Sequence, residues 1–210
     1  MIPRHQTILF VVLLVASVIM GSVLWHLRER AHQRLLKGEN SAPTQAPQVA
    51  PAEQATLMVA NDADNSLLTR ILSLPLPQSP EARARAVLGK LLDLYAAPDA
   101  THPVPGGAGS IAQVFLVPIA DAEGKMPQGG PELAVVNLTG AFVAGHPSGL
   151  ETETLTVLSI CATLNANLPR VTEVRFLVDG RERDTLAGHA DLRRTYLAAE
   201  ASPAEGAHRD

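Results

Sequence analysis

The sequence predicts an α+β domain, with its elements in the order β-β-α-β-β-α-β-β, behind an N-terminal transmembrane helix. Three observations lead there. Thr7 to Leu27 carries no formally charged side chain. Two later segments, Ser79 to Tyr95 and Gly149 to Leu168, repeat apolar residues at helical spacing. The remaining apolar runs are short and end at Pro, Gly, Asn or Asp, as strands do.

The apolar run comes first. At about 1.5 Å per residue it reaches roughly 30 Å, the hydrocarbon thickness of a bilayer. Trp25 and His26 close it, where an amphipathic ring suits the headgroup layer. It exceeds the apolar core of a secretory signal, no small-x-small cleavage site clearly closes it and no cysteine follows it for lipid attachment, so it is expected to remain as a single-pass anchor in the cytoplasmic membrane. The flanks disagree about orientation. Arg4 and the amine stand before it, whereas Arg28, Arg30, Arg34 and Lys37 stand after it. Positive charge alone would keep the following domain in the cytoplasm, while so short an N-terminal flank commonly stays inside.

Residues 1–6 are thus a short flank, 7–27 the membrane helix and 28–55 a juxtamembrane helix with a linker. Gly38 ends that helix, and Ser41 to Ala55, rich in Pro, Ala and Gln, is an extended spacer. The folded domain is expected over 56–195, and 196–210 as a disordered tail. Within the domain, Thr56 to Ala60 and Leu67 to Leu76 form a hairpin across the polar turn Asn61 to Asn65. Ser79-Pro80-Glu81 opens a helix with an N-cap and a proline at the first turn, and Val87, Leu88, Leu91 and Tyr95 share its apolar face. Ala97-Pro98 stops it, and a Pro/Gly loop runs from Thr101 to Gly109. Ile111 to Val117 and Leu133 to Leu138 follow as strands. Ser148 and Glu151 form a capping box for the second helix, whose apolar face carries Leu150, Val157, Leu158, Cys161, Leu164 and Leu168. Its many threonines weaken helix propensity. Pro169 ends it. Asp179-Gly180 then joins Val171–Val178 to Arg181–Leu186 as a two-residue hairpin.

Composition narrows function. Of 210 residues 46% are apolar but only 3% aromatic, so the core must be built from Leu, Val, Ile and Ala. A net charge of −4 and a pI near 6.0 argue against a nucleic-acid partner. A single cysteine, Cys161, excludes an internal disulfide and a cysteine-rich zinc site, and its helical apolar face makes it core.

The run Val171-Thr-Glu-Val-Arg-Phe-Leu-Val-Asp-Gly180, with Thr185-Leu-Ala-Gly-His-Ala-Asp-Leu192, resembles the end of a GerMN domain, the module of sporulation and spore-germination proteins. Leu133-Ala-Val-Val-Asn-Leu-Thr139 resembles that family's strand ending in an Asp-Leu-Ser-like triplet. Gly149 to Leu168 resembles its central helix, and Ser79 to Tyr95 its first. The resemblance covers about residues 56 to 195. It departs from the family at Leu57-Met-Val-Ala60, where an aromatic strand is usual, and between Thr101 and Pro131. It implies a small mixed α/β sandwich outside the cytoplasmic membrane, acting on envelope proteins or copies of itself rather than as an enzyme. A sensor of cell-wall glycan or another small envelope ligand, and an envelope hydrolase, are the alternatives.

No catalytic, cofactor or metal set can be assembled from the residues. His102, His146 and His189 match no ligand spacing. His189 and Asp191, alternate residues after the final hairpin, can form a polar pair that stabilises a turn. Gly106-Gly-Ala-Gly-Ser110 lacks the Gly-Lys-Ser/Thr of a phosphate loop and reads as a flexible connection.

Overall fold

The computed structural model describes residues 52–121 and 123–199, with Ser17, Met20 and Ser22 as isolated helical positions. The expected membrane span lies otherwise outside the described residues, as do the flank and most of the linker. Among the described residues no helix is long and apolar enough to cross a membrane.

Among the described residues two sheets and three helices, besides those isolated positions, make a mixed α+β fold. The first sheet is a hairpin of β1 (Ala52–Asn61) and β2 (Ser66–Pro75), paired antiparallel from Ala52↔Pro75 to Asn61↔Ser66. The strand β1 begins at Ala52, inside the stretch expected to be linker, because Ala52 to Ala55 find partners on β2. Asn65, at φ 53°, turns the chain; Asn tolerates that left-handed conformation better than most residues.

Helix α1 (Pro80–Tyr95) has Ser79 as its N-cap, whose hydroxyl accepts from the Ala82 amide. Its expected apolar face, Val87, Leu88, Leu91 and Tyr95, is fully buried, each residue contributing roughly 1.5–3 kcal/mol. The glycine-rich segment is not a loose connection. Gly107–Ser110 forms a 3-10 turn, the Ala108 amide donates to Asp93 Oδ1 at 2.7 Å, and Ala108 sits so close to α1 that a Cβ on Gly89 would lie 3.2 Å from its own.

The second sheet has the order β3-β4-β5-β6, with β3 (Ile111–Pro118) antiparallel to β4 (Glu132–Leu138), β4 parallel to β5 (Val171–Val178), and β5 antiparallel to β6 (Tyr196–Leu197). A parallel pair needs a crossover, and helices α2 (Gly140–Gly145) and α3 (Leu150–Asn167) provide it. The short α2, capped by Thr139, is absent from the expected order.

Three expectations fail locally. Leu150 is 64% exposed, so α3's apolar face starts later. Gly149, not Ser148, is the N-cap, and Glu153 rather than Glu151 reaches back, accepting the Gly149 amide at 3.2 Å; Glu151 instead accepts from Asn65 Nδ2. At the C-terminal end Asp179 and Gly180 do turn the chain, at φ 49° and 75°, but only Arg181 bridges back to Val178. Arg181-Glu182-Arg183-Asp184 offers no apolar face to bury. The strand that completes the sheet is β6, inside the expected disordered tail. Tyr196 is buried edge-on against Phe176, with ring centroids 5.8 Å apart, and the Ala198 amide donates to Thr172 O.

Side chains from both long helices seal β1. In a strand, alternate amides point away from the hairpin partner. Here those of Thr56, Met58 and Ala60 donate to Asn167 Oδ1 (3.0 Å), Thr163 Oγ1 (2.9 Å) and Tyr95 Oη (3.0 Å). Thr163 and Asn167, which weaken α3 as an isolated helix, thus serve β1.

Candidate functional site

The residues with chemical capacity fall into three places. The first is a polar chain that leads from the exposed Asp62 into the core. Asp62, in the β1–β2 turn, lies with Oδ1 2.5 Å from His102 Nδ1; His102 Nε2 lies 2.7 Å from Thr156 Oγ1 on α3; the same hydroxyl lies 2.8 Å from His146 Nε2; and His146 Nδ1 donates to Pro147 O at 2.8 Å. His102 and Thr156 are buried, as is His146, while Asp62 is partly exposed. Tyr95 and Phe142 stand edge-on against the two rings. Burial holds the His146 imidazole below its ordinary range, and the neighbouring His102 pushes the same way, against the opposing hydrogen bond to Pro147 O.

Carboxylate, imidazole and hydroxyl in that sequence make the geometry of a nucleophile, its base and the base's orienter. What is missing is access. Thr156 is 1% exposed on the core face of α3, so its hydroxyl meets the two imidazoles and the Thr152 carbonyl rather than an incoming substrate.

The second place is Glu153. Its buried carboxylate accepts the amides of Ala187, His189 and Ala190 on Oε2, each at 2.9 Å, and Gly149 N and His189 Nδ1 on Oε1. Burial alone would raise its pKa, but the hydrogen bonds from Ala187, His189 and Ala190 outweigh that and hold it at about 2. The expected partnership of His189 with Asp191 is not the one formed. His189 pairs with Glu153, and Asp191 Oδ1 accepts the Arg193 amide. The histidines were visible in the sequence, whereas Asp62, Thr156 and Glu153 were not, since Asp62 and Thr156 meet His102 across 40 and 54 residues and Glu153 meets His189 across 36.

The third place is the surface. Helices cover one face of the four-stranded sheet, burying Val114, Val136, Val174 and Phe176. Alternate residues look the other way. Across that open face run the rows Phe115–Val135–Arg175 and Val117–Leu133–Glu173–Leu197, in which Phe115, Val117 and Leu197 are 46%, 44% and 49% exposed. The outer edge of β3 belongs to a strand, Ile-Ala-Gln-Val-Phe-Leu-Val-Pro, without a single charge. Elsewhere a shallow groove of about 470 Å³ lies between α1 and the end of β2, floored by Leu74, Ala86 and Gly89 and flanked by Arg85 and Lys90. Among the described residues no group of three or more His, Cys, Asp or Glu is arranged to hold a metal ion.

Comparison with known proteins points one way. The family model described as Germane, sporulation and spore germination, matches residues 56–184. The chain is similar to the tandem GerMN domains of the sporulation protein GerM from Bacillus subtilis, at 15% identity and a TM-score of 0.41, over 71% of this chain and 47% of that one. It is also similar to the first GerMN domain of that protein, at 17% identity and a TM-score of 0.37, over 70% of this chain and 98% of that one. The chain thus spans about half the length of the tandem structure. Among curated proteins there is no significant match.

Proposed function

This chain belongs to the Germane family of sporulation and spore germination domains, and from that premise we propose that it is a membrane-anchored envelope protein that acts by binding rather than by catalysis. Residues 7–27 hold it in the cytoplasmic membrane, and the domain, on the extracytoplasmic side, binds envelope proteins or a second copy of itself through the open face and outer edge of its four-stranded sheet. The observation that carries this reading is the exposure of Phe115 and Val117 on the uncharged edge strand β3, with Leu197 exposed on the same face at the far margin. Edge strands that must stay single usually carry charge, proline or a bulge, and β3 has only a terminal Pro118 and a register shift at its start.

The test uses the full chain in its own membrane. A photoreactive residue at position 115 should give a specific adduct with another copy or with an envelope protein, and one at exposed Asp99, on the loop after α1, should not. Adducts absent at 115 and at 117 would overturn the surface. A C-terminal phosphatase fusion, active only after export, should be active; an inactive fusion beside a fluorescent cytoplasmic one would overturn the localisation.

The groove on α1 favours a second reading, in which the domain senses a small envelope ligand such as cell-wall glycan. Its apolar floor suits a sugar face, with Arg85 and Lys90 as donors at its side. A thermal shift with wall fragments, lost in Arg85→Ala, is its measurement.

A further inference from the structure

We propose that Asp62, His102, Thr156 and His146 form a proton-binding site, buried at His102, Thr156 and His146 and open to solvent at Asp62, that holds one hydrogen more than an ionised carboxylate and two neutral imidazoles supply, and that this hydrogen fastens the β1–β2 turn to α3. The argument is a count of hydrogens. Each of the contacts Asp62–His102, His102–Thr156, Thr156–His146 and His146–Pro147 lies between 2.5 and 2.8 Å and needs one hydrogen between its two heavy atoms. Pro147 O can only accept, so His146 Nδ1 carries a hydrogen, and neutral His146 then offers a lone pair at Nε2. The Thr156 hydroxyl gives its hydrogen to that lone pair. The single hydrogen of a neutral His102 is taken by the contact with Asp62. Nothing is left for His102–Thr156, where a ring lone pair would face a hydroxyl lone pair at 2.7 Å inside the core.

One added proton completes the chain in a single direction: from the Asp62–His102 pair to Thr156, from Thr156 to His146, and from His146 to Pro147 O. The Asp62 carboxylate stays ionised and His102 carries the added hydrogen, one on each ring nitrogen. The longer approach of Thr156 Oγ1 to Thr152 O, 3.1 Å, involves a carbonyl within the helix and does not compete. The groups facing the site are the Asp62 carboxylate from the turn, Tyr95 from α1, whose hydroxyl is taken by the Ala60 amide, and the Glu153 carboxylate one helical turn before Thr156. Both carboxylates favour the extra positive charge.

The site joins three segments that share no strand pairing. Asp62 belongs to the hairpin turn, His102 to the loop after α1, and Thr156 and His146 to the crossover. The turn is also clipped to that loop, through Asp62 N to Thr101 O and Thr101 Oγ1 to Ala60 O. Loss of the proton at raised pH leaves two lone pairs opposed and loosens the turn from α3.

The experiment is histidine-selective 15N labelling of the full chain, read at about pH 7.5, where an unconstrained imidazole is mostly neutral. His102 is expected to show hydrogen on both ring nitrogens and His146 on Nδ1 alone. Alkaline titration is expected to remove one hydrogen and shift the amide signals of Asp62 to Asn65 with the same midpoint. A singly protonated His102 at that pH overturns the site. Thr156→Val keeps the shape without the hydroxyl and is expected to return His102 to one hydrogen. Two hydrogens retained on His102 in Thr156→Val would assign the proton to Asp62 and His102 alone and overturn the four-group site. Should that variant fail to fold, the hydrogens found on His102 and His146 in the unaltered chain decide the matter.

Discussion

Asn167 grips Thr56 as a neighbouring strand would. Its Oδ1 accepts the Thr56 amide at 3.0 Å and its Nδ2 donates to the Thr56 carbonyl at 2.6 Å, so one side chain satisfies both backbone groups of a strand residue 111 positions away. Replacing it with Leu leaves both groups unpaired. Each costs about 1–3 kcal/mol when buried, and because Thr56 is only half-buried the expected loss in Asn167→Leu is about 2 kcal/mol in chemical denaturation. Thr163→Val, which orphans the Met58 amide, is expected to lose about as much, and the double variant to depart from the sum, since Asn167 Nδ2 also donates to Thr163 O at 2.7 Å.

Glu153 controls the loop of residues 187–190. Glu153→Ala strips four amides of their acceptor at once, and a loss of about 3 kcal/mol, roughly 10 °C in Tm, is expected. The same carboxylate sets an acid limit. Its folded pKa of about 2 lies below the ordinary carboxylate value of 4.5, so its stabilisation is complete above pH ~4.5 and drains away as pH falls toward ~2. Melts between pH 6 and 3 should steepen in the native protein and flatten in Glu153→Gln.

His146 acts earlier on the acid side. Its folded pKa is lowered, chiefly by burial. A depressed histidine stabilises fully above the unfolded value of about 6.5 and progressively less as pH falls below it. A small decline in Tm between pH 7 and 5 is expected, and it should be absent in His146→Gln once that variant's own lower Tm is subtracted.

Cys161 is fully buried, and burial pushes its thiol well above the ordinary range. The thiolate is the reactive form. A thiol reagent added to the native chain at pH 8 should leave Cys161 unlabelled over the time in which denatured chain reacts completely; rapid native labelling would contradict the packing of α3.

What could be read from the sequence was local. Ser79-Pro80 and the spacing Val87, Leu88, Leu91 and Tyr95 announce α1, because cap and face lie within the helix itself. Asp179-Gly180 announces a turn, because the backbone there needs two left-handed residues. What followed that turn was not legible. A strand requires something to bury, and the apolar residue that completes the sheet, Tyr196, stands beyond fifteen residues of loop. The helix α3 was legible from its spacing, but the role of its threonines was not. They lower the helix propensity of the segment, and their purpose, amides on β1 and imidazoles from two loops, exists only after folding. His189 could be seen as a polar residue with a role, but the nearest acid in sequence, Asp191, was not its partner in space.

The two margins of the four-stranded sheet are unequal: β3 offers eight residues, β6 only two. A second molecule that adds its own β3 antiparallel to this one uses up the long margin of both sheets in the same act. At the other margin β6 pairs only with Glu173 and Val174 of β5, so that side offers a broken edge instead of a continuous one. In the proposed pairing the long margin is spent once, and a joined pair presents no second β3.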